Sequence, residues 1–441
     1  MTRINKSILM FFYFAFYLIM AESSFAVIKI EINKGNYEAM PIAIADFEGD
    51  DWDSIDAGQE VREVILNNLK NSGVFRPIEN AAFLDVPSSW QPPNFQNWRI
   101  INATALLTGK ATFEKDSGLL TIEYTLWDPY KETQFENGAY TITLDSSRRI
   151  AHKISDRIYE KLTGDQGIFD SRIVFVAEKG DEKNRIKRLA IMDQDGGNLK
   201  YLTDGKELVL TPRFDPHSQR VIYMAYKHRN HPAKVYLLDL ETGHQKLIGN
   251  FPGMSFAPRF APDNHYAIMS VAKDGTTDIY EIDLLTGVAN RLTYDTGVIN
   301  TSPSYSEDGS KIAFNSNRGG TSQLYIMNRD GSNKSRISFG DGSYRTPVWS
   351  PKGDYIAFTK INRGRFYIGI MRPDGSGERL LTTSWLEEGP TWSPNGRFII
   401  FSRQKRNGEN YLYTIDITGQ NEKMVNTHTF ASDPAWSALL K

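Results

Sequence analysis

The chain has 441 residues, 40% of them hydrophobic and 24% charged, with a formal net charge of -2. That length suits two ordinary globular domains, and the near-neutral balance gives no reason to expect nucleic acid or an anionic membrane surface as a partner. The sequence has no cysteine, which excludes disulfides, cysteine-ligated zinc and thiol catalysis.

Arg3 and Lys6 precede an uncharged apolar run from Ile8 to Met20, and Ser24 and Ala26 follow at the spacing a signal peptidase accepts. The run is shorter than the roughly 20 residues of a membrane-spanning helix. Residues 1–26 therefore read as a signal peptide cleaved after Ala26, with an uncleaved anchor as the alternative. After Val27, the residues Ile28, Ile30 and Ile32 alternate with Lys29, Glu31 and Asn33, as in a half-buried strand or an extended segment. Residues 41–45 read as a buried strand. Val61, Val64, Ile65 and Leu69 form one apolar face of a helix that ends near Gly73. The proline-rich stretch 87–96 reads as a surface loop. Residues 106–113, 119–127 and 134–144 read as a three-stranded meander. Ile150, Ile154, Ile158 and Leu162 then mark a second helix stopped at Gly164. Residues 27–165 are thus expected to form an α/β (α+β) domain.

The remainder, 166–441, is repetitive. Six segments share a proline, one variable residue and an aromatic: Pro212-Arg213-Phe214, Pro258-Arg259-Phe260, Pro303-Ser304-Tyr305, Pro347-Val348-Trp349, Pro390-Thr391-Trp392 and Pro434-Ala435-Trp436. The prolines are 46, 45, 44, 43 and 44 residues apart. Each unit continues through a turn signal, a strand, a polar loop, an alternating strand and a second turn. Four short strands in such a period make one blade of a β-propeller. Residues 168–210 supply three strands without the proline motif, and residues 431–441 supply the motif alone. The last strand is therefore expected to close the first blade, giving an all-β six-bladed propeller.

Catalytic constellations are weak. His228 and His231 sit in a polar loop without an acidic pair and read as solvated. Asp308, Asp330 and Asp374 each precede glycine and read as turn residues. Some peptidases pair a similar propeller with an α/β-hydrolase domain, but no Gly-x-Ser-x-Gly elbow occurs; Gly253-Met254-Ser255-Phe256-Ala257 lacks the last glycine. The repeated aromatics read as packing between blades. What remains is surface: the segments ahead of the proline motifs ring one mouth of the channel and mix aromatic, arginine and acidic side chains, the types that make binding hot spots.

An exported α/β domain, six blades with the repeated proline motif, in full Pro-x-Trp-Ser-Pro-x-Gly at 347–353 and 390–396, and a closing Pro-x-Trp resemble the TolB family, the periplasmic component of the Tol-Pal system of diderm bacteria. Residues 169–176, from Phe169 to Val176, following Glu160-Lys161-Leu162-Thr163-Gly164, make the resemblance more specific. It covers nearly all of the mature chain. It implies a non-enzymatic periplasmic scaffold, a monomer peripheral to the membrane at most. Such a scaffold links inner-membrane Tol proteins to the peptidoglycan-associated lipoprotein Pal and supports outer-membrane integrity and constriction at division. No catalytic, cofactor or metal site is implied. The family's extended N-terminus binds the C-terminal domain of TolA; its match here is 27–35, including Val27, Ile28, Lys29, Ile30, Glu31 and Ile32. The family's Pal site at one propeller mouth maps to loops carrying Met254, Phe256, Ala257, Asn300, Thr301, Tyr344, Arg345, Glu387 and Glu388, with Ala257 and Thr301 at the best-matching positions. A free-standing periplasmic propeller that binds sugar or peptide is the alternative.

Overall fold

The structure is a computed structural model and describes residues 38–180, 184–226, 232–249, 251 and 253–440. The apolar leader, the segment 27–35 and the pair His228 and His231 lie outside the described residues.

The first domain is built from β1 (Met40–Ile44), β2 (Glu48–Gly49), α1 (Trp52–Asn71), β3 (Phe75–Pro77), α2 (Phe95–Ile100), β4 (Ala105–Glu114), β5 (Leu119–Asp128), β6 (Thr133–Thr143) and α3 (Ser147–Thr163). Its sheet runs β3-β1-β4-β5-β6, with β2 added on β4. The β1–β3 and β1–β4 pairs are parallel and the β4–β5–β6 meander is antiparallel. The Asp51 carboxylate caps α1 by accepting from the Ser54 amide at 2.8 Å, satisfying one of the helix's orphan donors. The helix buries Val61, Val64, Ile65 and Leu69. Gly164 ends α3 in the left-handed conformation at φ 77, where glycine avoids the Cβ clash.

Two elements escape the sequence pattern. The proline-rich loop gives way to α2, a helix too short to show a period, held because Trp98 is buried with Ala43, Leu106 and Trp127. The short β3 ends in a proline at a sheet edge, where the missing N–H is harmless.

The propeller has six four-stranded antiparallel sheets. Blades 2 to 6 are continuous, with innermost strands Leu208–Phe214, Met254–Phe260, Asn300–Tyr305, Ser343–Trp349 and Glu387–Trp392. Blade 1 is split. Phe430–Trp436 is its innermost strand and pairs with Arg172–Lys179, with Trp436 opposite Ile173. The repeated aromatics pack between blades as expected: Trp392 is buried and its Nε1 donates to the Val348 carbonyl of the preceding blade at 2.9 Å. Trp436 donates to Ser171 Oγ at 2.8 Å.

One apolar core runs through both domains. It joins Val61, Ile65 and Leu69 of α1 and Ile154 and Ile158 of α3 to Phe169, Phe175, Phe398, Leu412 and Trp436 of the propeller. Polar groups frame it. The Asp156 carboxylate accepts from the Phe169 amide at 2.7 Å and the Asp170 amide at 2.8 Å. Gln194 donates to Asn68 Oδ1 at 2.9 Å, and Lys423 to the Asn71 carbonyl at 3.0 Å. The first domain therefore sits at the end of the propeller where the innermost strands finish, and leaves the end where they start open.

Candidate partner-binding mouth of the propeller

At the open end, the innermost strands share a backbone feature. In each, the ladder slips at the proline motif: between Leu210 and Arg213, Phe256 and Arg259, Thr301 and Ser304, Arg345 and Val348, Glu388 and Thr391, and Ser432 and Ala435. The residue before each proline takes a positive φ: Thr211 at 47, Ala257 at 51, Ser302 at 55, Thr346 at 47, Gly389 at 68 and Asp433 at 50. Proline cannot donate to the ladder, so the strand bulges there and turns its next residue. Five of the six positions are not glycine and carry backbone strain, two of them as β-branched threonine.

Neighbouring blades hold three of these bulges in place. The Ser302 amide donates to Ser270 Oγ at 3.2 Å, Thr346 N to Asn315 Oδ1 at 3.3 Å and Thr211 N to Asp433 Oδ2 at 3.3 Å. Each acceptor belongs to the preceding blade, so these three bulges are fixed by their neighbours.

The residues expected in loops here lie in strands instead. Met254, Phe256 and Ala257 belong to Met254–Phe260, Asn300 and Thr301 to Asn300–Tyr305, Tyr344 and Arg345 to Ser343–Trp349, and Glu387 and Glu388 to Glu387–Trp392. The loop expectation fails because the bulge lets a proline-containing segment stay in the ladder. Three of the nine side chains are buried. Asn300 receives a bond from Arg318 at 3.0 Å, and the Tyr344 hydroxyl donates to Glu378 at 2.9 Å. Glu387 takes the Arg403 guanidinium at 2.9 Å and the Ile368 amide at 3.1 Å. These three brace the strands. Phe256 is half-buried against the core shared by blades 2 and 3.

Met254, Arg345 and Glu388 are exposed, and Ala257 and Thr301 are half-buried. Partial loss of solvent at the mouth raises the Glu388 carboxyl, Arg345 pulls it back and Asp433 adds to the rise. Exposed apolar residues at the same end carry no motif, among them Ile299, and Trp385, which is 60% exposed. The only signal for Trp385 is its place just ahead of the sixth repeat.

The glycine-flanked aspartates are turn residues. Asp308, Asp330 and Asp374 accept from the amides of Ser310, Ser332 and Ser376 at 3.0, 2.9 and 2.8 Å. A cluster the sequence does not announce lies at the domain junction, where ligand atoms of His152, Asp193 and Asp195 fall within 4.8 Å of one another. Arg148 already pairs with both carboxylates, at 3.5 Å for Asp193 and closer for Asp195, so the cluster is an ion-pair joint between domains. Among the described residues no helix is long and apolar enough to cross a membrane.

Known proteins share this arrangement. The family model described as the TolB amino-terminal domain matches residues 28–135, and that described as the TolB beta propeller domain matches residues 159–440. The Tol-Pal system protein TolB of Rickettsia bellii is 48% identical over 437 residues, covering 96% of this chain and 98% of that protein. The Tol-Pal system protein TolB of Gluconobacter oxydans is 41% identical over 415 residues, covering 93% and 88%. The crystal structure of TolB from Acinetobacter baumannii has the same fold, with a TM-score of 0.80 at 24% identity over 91% of this chain and 98% of that one. These relatives are named for a component of a system and not for a reaction. The chain belongs to the TolB family of Tol-Pal system proteins.

Proposed function

We propose that the protein is the periplasmic scaffold of its Tol-Pal system, joining the C-terminal domain of TolA to the lipoprotein Pal and thereby supporting outer-membrane integrity and constriction at division. The observation that carries this reading is a family member whose propeller leaves one mouth open, opposite the attached domain, with Met254, Arg345 and Glu388 exposed there on fixed strands. A rigid rim loses little entropy on binding, and an arginine, an acid and apolar side chains suit a protein partner. On this reading Pal docks on Met254, Ala257, Thr301, Arg345 and Glu388, with Trp385 and Ile299 at the periphery. Asn300, Tyr344 and Glu387 support that surface from beneath.

The residues Val27, Ile28, Lys29, Ile30, Glu31 and Ile32 form the TolA-binding segment, adding a strand to the edge of a partner's sheet through main-chain bonds. Residues 1–26 direct export and are removed, and the protein acts as a monomer without cofactor or metal. Where the segment can also dock on its own protein, TolA capture changes Pal affinity by linkage.

Affinity capture from an envelope extract tests the assignment. The full mature chain is expected to recover both Pal and TolA, and a chain lacking 27–35 to recover Pal without TolA. Recovery of neither protein, with small ligands alone retained, contradicts the scaffold reading.

A further inference from the structure

At the attached end of the channel, the innermost strands enclose a cavity of about 500 Å³. The residue after each motif proline lines it: Arg213, Arg259, Ser304, Val348, Thr391 and Ala435. Two neighbouring blades thus present guanidinium groups at one level of the ring, facing an arc of small and neutral residues. Gln166 of the interdomain linker and Ala438 and Leu439 of the last segment border the same space.

These two arginines differ from six others of the blades that are paired with acids. Arg185, Arg220, Arg291, Arg318, Arg329 and Arg403 each meet a carboxylate at 3.1 Å or less. Among the described residues, Arg213 and Arg259 form no ion pair within 4 Å. Arg213 donates, among the described residues, only to the Pro212 carbonyl, at 2.6 Å. The acids nearby are engaged or lie farther off. Asp215 is held by Arg220 at 2.5 Å, Asp433 of the adjacent blade accepts from the Thr211 amide and acts on Arg213 without a direct pair, and Glu307 borders the cavity out of pairing range. Burial depresses both guanidinium groups, and the charge of Arg213 depresses Arg259 further. A desolvated like-charged pair is unfavourable unless something neutralises it.

We propose that Arg213 and Arg259 form an anion site in the propeller channel, which binds an oxyanion of the carboxylate or phosphate class. The planar guanidinium forks suit bidentate contact with such groups. The cavity admits a ligand well beyond a single ion in size, and the site is separate from the open mouth, so it needs no Pal. The oxyanion comes from a free small molecule or from an acidic side chain of a peptide threaded into the channel.

The test uses the full mature protein at constant ionic strength, titrated with inorganic phosphate, citrate or a diglutamate peptide against chloride, and read by Tm and calorimetry. At least one oxyanion is expected to raise Tm saturably, because a ligand bound only by the folded state stabilises it. Arg259→Gln is expected to weaken that binding at least tenfold, and to leave Tm in chloride unchanged or higher because it relieves the repulsion. Binding of phosphate or citrate alone identifies a free oxyanion, and binding of the peptide alone identifies a partner's carboxylate. A response equal to that of chloride, or one unchanged in Arg259→Gln and in Arg213→Gln, overturns the proposal. The wild-type comparison with chloride decides even where a substituted chain folds poorly.

Discussion

The two ends of the channel are built from the same six strands and yet differ in kind. At the open end the strands bulge ahead of each proline, and side chains of the preceding blade fix three of those bulges. At the attached end the motif aromatics close the gaps between blades, and Gln166, Ala438 and Leu439 come up to the cavity. There Asp165 meets Lys352 at 3.1 Å, and Asn395 donates to the Gln166 carbonyl at 2.9 Å. The difference teaches a division of labour: the open end leaves an exposed rim on fixed strands, while the attached end anchors the other domain and holds a small cavity.

The strongest way to break this comparison is to remove the strand common to both ends. Deleting residues 430–441 takes away the innermost strand of blade 1 and with it Trp436. Thermal unfolding is expected to lose its single cooperative transition; an unchanged Tm contradicts the closure.

Next in size is Glu178, buried beside the open end between blades 1 and 6. Its carboxylate meets Lys187 at 2.9 Å, Arg185 at 3.1 Å, Ser432 at 2.6 Å and Asn410 at 3.1 Å. Glu178→Ala leaves two cations without their partner and is expected to cost about 3–5 kcal/mol in denaturant unfolding. Burial alone raises this carboxyl, but Lys187 and the hydrogen bonds outweigh it, and the net shift is downward from 4.5. Its stabilisation is therefore present above the ordinary glutamate range and lost as pH falls through the depressed value. Asp156 at the attached end has the opposite sign. Burial pushes it up to about 6 against two amide bonds. Its contribution is full below 3.8 and fades as pH rises through about 6. Stability measured from pH 3 to 7 is expected to lose its low-pH fall in Glu178→Gln, and to lose a decline between about 4 and 6 in Asp156→Asn.

A smaller effect is expected at Gly167, where an added Cβ would stand 2.0 Å from Asp156 Oδ1 and 2.7 Å from its Cα. Gly167→Ala is expected to destabilise by about 1–3 kcal/mol through the linker, with the open mouth unaffected. The smallest effect is a gain. Ala257→Gly relaxes a positive φ and is expected to stabilise by up to about 1 kcal/mol, seen as a slightly higher denaturation midpoint.

The sequence announces the blades because the innermost strand of each carries the same proline and aromatic, and because its two ends hold complementary fragments of one blade. The helices α1 and α3 are legible from Val61, Ile65, Ile154 and Ile158, whose spacing follows the helical turn. The helix α2 is hidden, since one buried tryptophan in six residues makes no period. The mouth was legible in place but not in chemistry. Tyr344 and Glu387 have the composition of contact residues, yet strand alternation turns them into the blade, which a loop reading ignores. Arg213 and Arg259 stood in the repeat itself, but only the ring shows that they face one cavity.

Calorimetric titration of Pal into the mature protein tests the central claim, that the open bulged mouth is the partner surface. Arg345→Ala with Glu388→Ala is expected to weaken Pal binding at least tenfold while Tm stays within about 2 °C of wild type, as surface substitutions away from structural contacts do. Equal affinity for the wild-type and doubly substituted chains would contradict the account.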